Sequence, residues 1–336
     1  MDLLAAQRHR RDLLRAVRGF FDQREFLEVE TALMIPANAP EPHIQAVPVE
    51  IHPGAGQPAR PLYLRTSPEL ALKRMLARGA ERIYEIARVA RDADHDAMHR
   101  IEFTLLEWYR AGAGYQALMD DCDGLLRACA EALGRGSEVR GPGGSCDLSA
   151  GAERLSVAEA FRRHGAVEVE PYLGGDAAGL TRALVDAGIP LPWSAQDAPR
   201  SFEDVFFAAF ISAIEPRLGQ GRPTVLYEWP APMAALARLA PQRPSVALRF
   251  ELYAAGVELA NGFDELTDAV EQRARFAAAS AERTAAGLDP YPLDEDFLND
   301  LEQIRPCAGI ALGIERLLML LCGEPALEAV ALPFGW

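Results

Sequence analysis

Three separated stretches of this 336-residue sequence set charged side chains inside apolar runs. The first is RDADHDAMHRIEFTLLEWYR, from Arg91 to Arg110. Along a strand, side chains alternate between faces. Glu107 and Tyr109 therefore share a face with Phe103, while Glu102, Thr104 and Trp108 take the other, which sets one carboxylate between two aromatic rings. The plain alternative is an amphipathic strand whose acidic residues face water. The second stretch is RFELYAAGVELANGFDELTD, from Arg249 to Asp268. Glu251 and Glu258 flank AAG, a natural turn, and folding back there would bring two carboxylates together. Mg²⁺ needs that arrangement to bridge a nucleotide's phosphates; two exposed strand glutamates are the alternative. The third stretch is GIALGIERLLML, from Gly309 to Leu320. Its glycines let a backbone come close to a ligand, and Arg316 at a helix start can meet a phosphate. Alone this is weak, because glycine-containing strand-to-helix turns are common.

The elements that must position these groups are legible in outline. Leu13, Val17 and Phe20, with Leu14 and Phe21 beside them, predict an N-terminal helix. FLEVET (Phe26–Thr31) alternates as a short strand, and HIQAVPVEI reads as another between Pro-, Ala- and Gly-rich loops. LYLRTSPELALKRMLARG predicts a strand feeding a helix, with Ser67 as N-cap, Pro68 as first helical residue and Gly79 as the stop. Apolar runs at Arg82 and Ile101 suggest a hairpin with a long loop. A helix follows from Tyr115 to about Leu133, then a Gly-rich connector at Gly134–Cys146, then a mainly helical insertion over about 150–220. Strands return at Thr224–Trp229, Leu248–Gly262 and Cys307–Ile314, and a helix over Glu315–Cys322 comes last. Antiparallel-looking strands with segregated helices indicate an α+β fold. No GxGxxG or GxxxxGK[ST] occurs, so a nucleotide would not be held by a Rossmann or P-loop cradle.

Composition narrows the classes. No run approaches the roughly 18 apolar residues that span a bilayer, the first residues lack a signal peptide's order, and cytoplasmic residence is the expectation. The five cysteines form no CxxC pair. Cys122 and Cys129 would share a helix face as structural thiols, with no suitable histidine nearby for a metal. The net charge of −15 disfavours a polyanion as main partner, since nucleic-acid binders need a cationic surface.

Taken in order, the three stretches resemble the signature motifs of class II aminoacyl-tRNA synthetases. The closest resemblance is to lysyl-tRNA synthetases, through TSPELALKRML, HRIEFTLLEWY, GVELANGFDELTD and GIALGIERL, and it spans about residues 10–332. It implies the class II catalytic fold, an antiparallel sheet flanked by helices. Lysyl-tRNA synthetases carry an N-terminal anticodon-binding OB domain, whereas the catalytic pattern here begins almost at Met1. Trp108 between Glu107 and Tyr109, and Ala311 where the tRNA-charging enzymes have Gly, are similar to the elongation factor P–(R)-β-lysine ligases. That resemblance implies activation of β-lysine or lysine by ATP as an adenylate, and transfer to a lysine of elongation factor P. It also implies Mg²⁺, a homodimer, no membrane and no tRNA acceptor.

By position, the resemblance assigns the α-phosphate to Arg91 and the γ-phosphate to Arg316, the two catalytic residues. Asp92, Ala93, His99, Arg100, Phe103, Leu252 and Gly313 complete the ATP site, with Phe103 stacked on adenine. Glu251 and Glu258 hold the metal. Ser67, Pro68 and Glu69 receive the substrate's amino end, and Glu107, Tyr109, Asn261 and Glu265 surround the distal ammonium, with Glu258 and Ala311 also in the pocket. Departures fall in the nucleotide loop, where Ala93 and Ala97 replace a Glu and an Arg and Arg100-Ile101 replaces Asn-Pro. A weakened paralogue that only binds an amino acid or nucleotide, or a lysine ligase with another acceptor, are the alternative readings.

Overall fold

Helix α1 (Leu3–Asp22) forms because Ala6, Arg10, Leu13, Val17, Phe20 and Phe21 recur on one face and are buried together. Asp2 caps it, its carboxylate accepting from the Ala5 N–H at 2.8 Å. The computed structural model describes residues 1–51, 61–92, 96–193 and 200–333.

After α1 come β1 (Leu27–Glu28), β2 (Met34–Ile35), β3 (Pro48–Val49), β4 (Leu62–Leu64), α2 (Glu69–Ala77), β5 (Arg82–Ala90) and β6 (Glu102–Ala111). Then follow α3 (Tyr115–Leu133), β7 (Glu138–Gly141), β8 (Gly144–Asp147), β9 (Glu153–Ser156), α4 (Val157–Ala160), α5 (Ala177–Asp186) and α6 (Phe202–Ala209). The last third holds β10 (Thr224–Pro230), β11 (Leu239–Ala240), β12 (Arg243–Ala254), β13 (Val257–Asp264), α7 (Ala269–Ala285), α8 (Glu295–Leu301), β14 (Cys307–Gly313) and α9 (Ile314–Cys322). The chain forms two compact units. One comprises Met1–Gly114, Glu265–Met319 and the residues from Ala326; the other comprises Tyr115–Asp264 and Leu320–Pro325.

In the first unit β5, β6 and β14 pair antiparallel in that order, with β1 added parallel to β5, and β2, β4 and β3 form a small separate sheet. Helix α1 covers the face on which Tyr84 and Trp108 point. The Phe21 ring stacks on Tyr84 at 4.5 Å and lies 5.4 Å from Trp108. Burying such rings contributes roughly 2–3 kcal/mol each, so Trp108 is a core residue and not a pocket residue. Under the same helix, Arg10 pairs with Glu315 at 2.8 Å and donates to the Thr104 hydroxyl at 2.6 Å, while Glu315 accepts from the Thr104 N–H at 2.9 Å. This buried network ties α1, β6 and the start of α9 together next to Arg316.

In the second unit β10 and β12 pair antiparallel, as do β12 and β13, with β9 parallel to β10. An aromatic core of Phe161, Phe206, Phe210, Trp229 and Tyr253 packs behind them. The Gly134–Cys146 stretch expected as a connector instead forms the β7–β8 hairpin, turning at Pro142–Gly143. Gly143 donates its N–H to Ala255 at 2.8 Å, and a Cβ on Gly143 would lie 2.7 Å from the Gly256 backbone. Two glycines are needed there because two backbones touch. The insertion expected as helical from Glu153 begins as strand β9, which takes its parallel place on β10 before α4 starts. Helix α2 starts one residue later than its sequence signal. Pro68 is the N-cap residue, and Ser67 lies just outside while its hydroxyl accepts from the Glu69 N–H at 2.9 Å. All five cysteines are buried free thiols, and Cys122 and Cys129 share the buried face of α3.

Candidate active site

The register of β14 on β6 sets Gly309 opposite Tyr109, Ala311 opposite Glu107 and Gly313 opposite Leu105. Directly paired residues point to the same face. A row of minimal side chains on β14 therefore lies beside a row of large ones on β6, and α2 brings Ser67 and Glu69 to the same place. The amphipathic-strand alternative fails for Glu107, which is 1% exposed, although Glu102 on the other face is exposed.

Glu107 accepts from the Ser67 hydroxyl at 2.6 Å and from the Tyr109 hydroxyl at 3.2 Å. Burial, reinforced by the nearby Glu69 carboxylate, pushes it up to about 8. Glu265 is 2% exposed and is fixed by its own N–H, which donates to the Cys307 carbonyl at 3.0 Å. Burial raises its carboxyl as well, with Lys73 pulling the other way. Lys73 is fully buried and places its ammonium 2.6 Å from Glu69 and 2.5 Å from Glu265. The structure therefore brings Ser67, Glu69, Glu107, Tyr109 and Glu265 close together, with Pro68 at the start of α2 and Ala311 opposite Glu107.

Three features of the pocket were missed or misread in the sequence. Lys73 is the pocket's own cation, and its only signal was its place one helical turn after Glu69. Gly309 is the second. A Cβ there would stand 2.1 Å from the Tyr109 ring and 2.3 Å from a Glu265 carboxylate oxygen, so the missing side chain is the space those two groups occupy. Asn38 is the third. Its carbonyl accepts from the Thr66 N–H at 2.9 Å, and it lines a small cleft with Thr66, Ser67, Glu69 and Leu70. Its buried amide nitrogen has no hydrogen-bond partner among the described residues.

The residues expected around ATP are also partly gathered. The Arg91 guanidinium lies 5.3 Å from the Phe103 ring centroid, within cation–π range, and donates to the Thr66 carbonyl. Arg316 donates to His99 Nε2 at 2.9 Å, and His99 Nδ1 lies 3.0 Å from Asp96. That contact requires the tautomer with the proton on Nδ1. Arg100 folds back on its own loop, donating to the Asp96 carbonyl at 2.6 Å, and the Asp92 N–H donates to Gln45 at 2.7 Å. Gly313 packs beside the Arg316 stem, where an added Cβ would make ordinary van der Waals contact at 3.8–3.9 Å. Ala93 lies outside the described residues.

The second unit holds a further group. On one face of the β12–β13 hairpin stand Arg249, Glu251 and Tyr253, opposite Phe263, Asn261 and Glu258. Arg249 donates to Glu251 at 2.6 Å and to Asn261 at 3.2 Å, and the Tyr253 hydroxyl donates to the other Glu251 oxygen. Leu252 points the opposite way and is fully buried. Burial, with the Glu258 carboxylate adding to it and Arg249 opposing it, holds Glu251 up to about 7. The turn thus brings the two carboxylates to one face. Carboxylate oxygens are the donors a hard divalent cation such as Mg²⁺ takes, and Glu251 would have to exchange its contacts with Arg249 and Tyr253 to serve as one. No cluster of three or more acidic, histidine or cysteine side chains suited to a metal exists among the described residues.

Comparison with known proteins places the chain in a family. The family model for class II tRNA synthetases (D, K and N) matches residues 3–334. The elongation factor P–(R)-β-lysine ligase of Vibrio cholerae is 39% identical over 97% of this chain and 94% of its own length. The proteins of that name from Proteus mirabilis and Edwardsiella ictaluri are 38% and 39% identical, covering 94% and 96% of this chain and 91% and 93% of their own lengths. The chain thus belongs to the class II (D, K and N) tRNA synthetase family, within which it is similar to the elongation factor P–(R)-β-lysine ligases.

Proposed function

We propose that this protein is an ATP-dependent ligase that activates (R)-β-lysine, or lysine, as an aminoacyl-adenylate and transfers it to a lysine side chain of elongation factor P. The observation that carries the reading is a cluster of three carboxylates, the buried Glu107 and Glu265 and the partly buried Glu69, with one buried ammonium, Lys73. Uncompensated charge in such a place costs several kcal/mol. A diamino acid brings two ammonium groups that can pair with these carboxyls, drawing the raised Glu107 carboxyl into its ionised form as it binds.

In this reading Ser67, Glu69, Glu107 and Tyr109 bind and orient the substrate, whose own carboxylate attacks the α-phosphate, so no protein nucleophile is needed. Arg91 and Arg316 hold the phosphates, exchanging their present contacts with Phe103 and His99 for them. That step is mainly positioning and charge stabilisation. Glu251 and Glu258, on the β12–β13 hairpin of the second unit, would hold Mg²⁺, whose chemistry when bound is to supply positive charge. The homodimer expectation is supported by the exposed apolar side chains Leu27, Leu33 and Met34 around β1 and β2. No helix among the described residues is long and apolar enough to cross a membrane.

ATP–pyrophosphate exchange with each lysine isomer tests activation, and a transfer assay with purified elongation factor P tests the acceptor. Amino-acid binding without exchange would favour a regulatory binder, the reading that Ala93 and Ala97 in the nucleotide loop's sequence support. Exchange without transfer would favour another acceptor. Ala311 lies opposite Glu107 and its methyl trims the pocket, so Ala311→Gly is expected to shift selectivity toward α-lysine by about tenfold, in the range of one methyl group. Unchanged relative kcat/KM for the two isomers would refute that role.

A further inference from the structure

The pocket's own cation has no part in the reaction as described so far. Lys73 leaves α2 one turn after Glu69, is fully buried, and meets Glu69 on its own helix and Glu265 from the segment following β13. A lysine with no solvent access is rare unless paired, and here one ammonium serves two carboxylates. Glu107 is held differently, by the Ser67 and Tyr109 hydroxyls, which carry no charge. Arg91 is close enough to act on Glu107 electrostatically, but it is the residue assigned to a phosphate.

We propose that Lys73 is a positioning and specificity-determining residue of the amino-acid site. Its ammonium clamps Glu69 to Glu265 and offsets one of the three carboxylates, so that the pocket is neutralised by a ligand with two positive charges. The inference rests on the lysine reading above. It explains why carboxylates assigned to a substrate ammonium are already paired without a ligand: the clamp fixes their separation before the substrate arrives, and preorganised partners bind at lower cost. A ligand with one ammonium, such as norleucine, leaves a buried carboxylate uncompensated.

The test is ATP–pyrophosphate exchange with lysine, β-lysine and norleucine in the wild type and in Lys73→Ala. The variant is expected to raise the amino-acid KM about a hundredfold and to change the ATP KM less than about threefold, a split that general damage does not produce. Propylammonium replaces the three carbons and the nitrogen removed. It is expected to restore kcat/KM saturably by about tenfold, whereas 1-propanol, uncharged, does not. An unchanged amino-acid KM, or a loss shared equally by both substrates that propylammonium leaves untouched, overturns the proposal. Absence of exchange in the wild type would instead overturn the lysine reading itself and this inference with it. Should Lys73→Ala not fold, Lys73→Met combined with Glu265→Gln removes a cation and a carboxylate together. Lysine saturation within about tenfold of wild type, with norleucine still rejected, then supports the charge count; loss of saturation overturns it.

Discussion

Gly309→Ala is expected to weaken amino-acid binding by at least about a hundredfold, or about 2.7 kcal/mol, while ATP saturation stays within about threefold. The added Cβ would lie 2.1 Å from the Tyr109 ring and 2.3 Å from Glu265. Neither group can give way easily. Tyr109 is 2% exposed, and Glu265 is held between Lys73 and the backbone of β14. Overpacking of this kind also costs roughly 1–3 kcal/mol of stability, so the melting temperature should fall as well. Measuring both KM values by exchange, with a thermal melt alongside, separates the two effects. An amino-acid KM near the wild-type value would show that the pocket relaxes around the methyl group and that Gly309 is not what shapes it.

The second large effect is on pH dependence. Burial holds the Glu107 carboxyl at about 8 in the unliganded fold, well above the ordinary value near 4.5. A raised carboxyl favours the folded state while it is protonated in both states, below about 4.5, and that contribution is lost as pH rises through 8. For one proton the loss is about 1.4 kcal/mol per pH unit at its steepest. Thermal melts of the free protein should therefore fall more steeply between pH 5 and 8 in the wild type than in Glu107→Gln. Glu265 contributes a slope of the same sign, which is why the difference between the two proteins is the quantity to read. Saturating lysine should flatten the wild-type slope, because its ammonium pairs with the ionised carboxylate. Identical slopes in the two proteins would mean that Glu107 is not the group taking up the proton.

The long elements were legible because their periodicity is strong. The helix over Tyr115–Leu133 and the β5–β6 hairpin lie where the pattern put them. Local signals misled where tertiary contact decides. Gly134–Cys146 looks like a linker in isolation, yet its glycines are there to let a hairpin touch the backbone at Gly256. Glu153–Ser156 is too short to show a period, and it is a strand only because β10 offers it a parallel edge. In the pocket, carboxylates and phenol were readable from the motifs. Lys73 was not, because a lysine beside other charges on a helix looks like solvated surface until the fold buries it. Gly309 was read as room for a ligand, and the room turns out to be taken by Tyr109 and Glu265.

The ion pair between Arg10 and Glu315 joins residues 305 positions apart. At ribosomal rates of roughly 5–20 residues per second, Arg10 waits about 15–60 s after its own synthesis for its partner to exist. During that interval α1 has made its apolar face but has no carboxylate for its inward guanidinium. The residue adjoining Glu315 is Arg316, so the end of the site proposed to hold phosphate is locked only when that late contact closes. Nascent chains that stop short of β14 should therefore remain unable to form adenylate, however much of the lysine pocket they already contain.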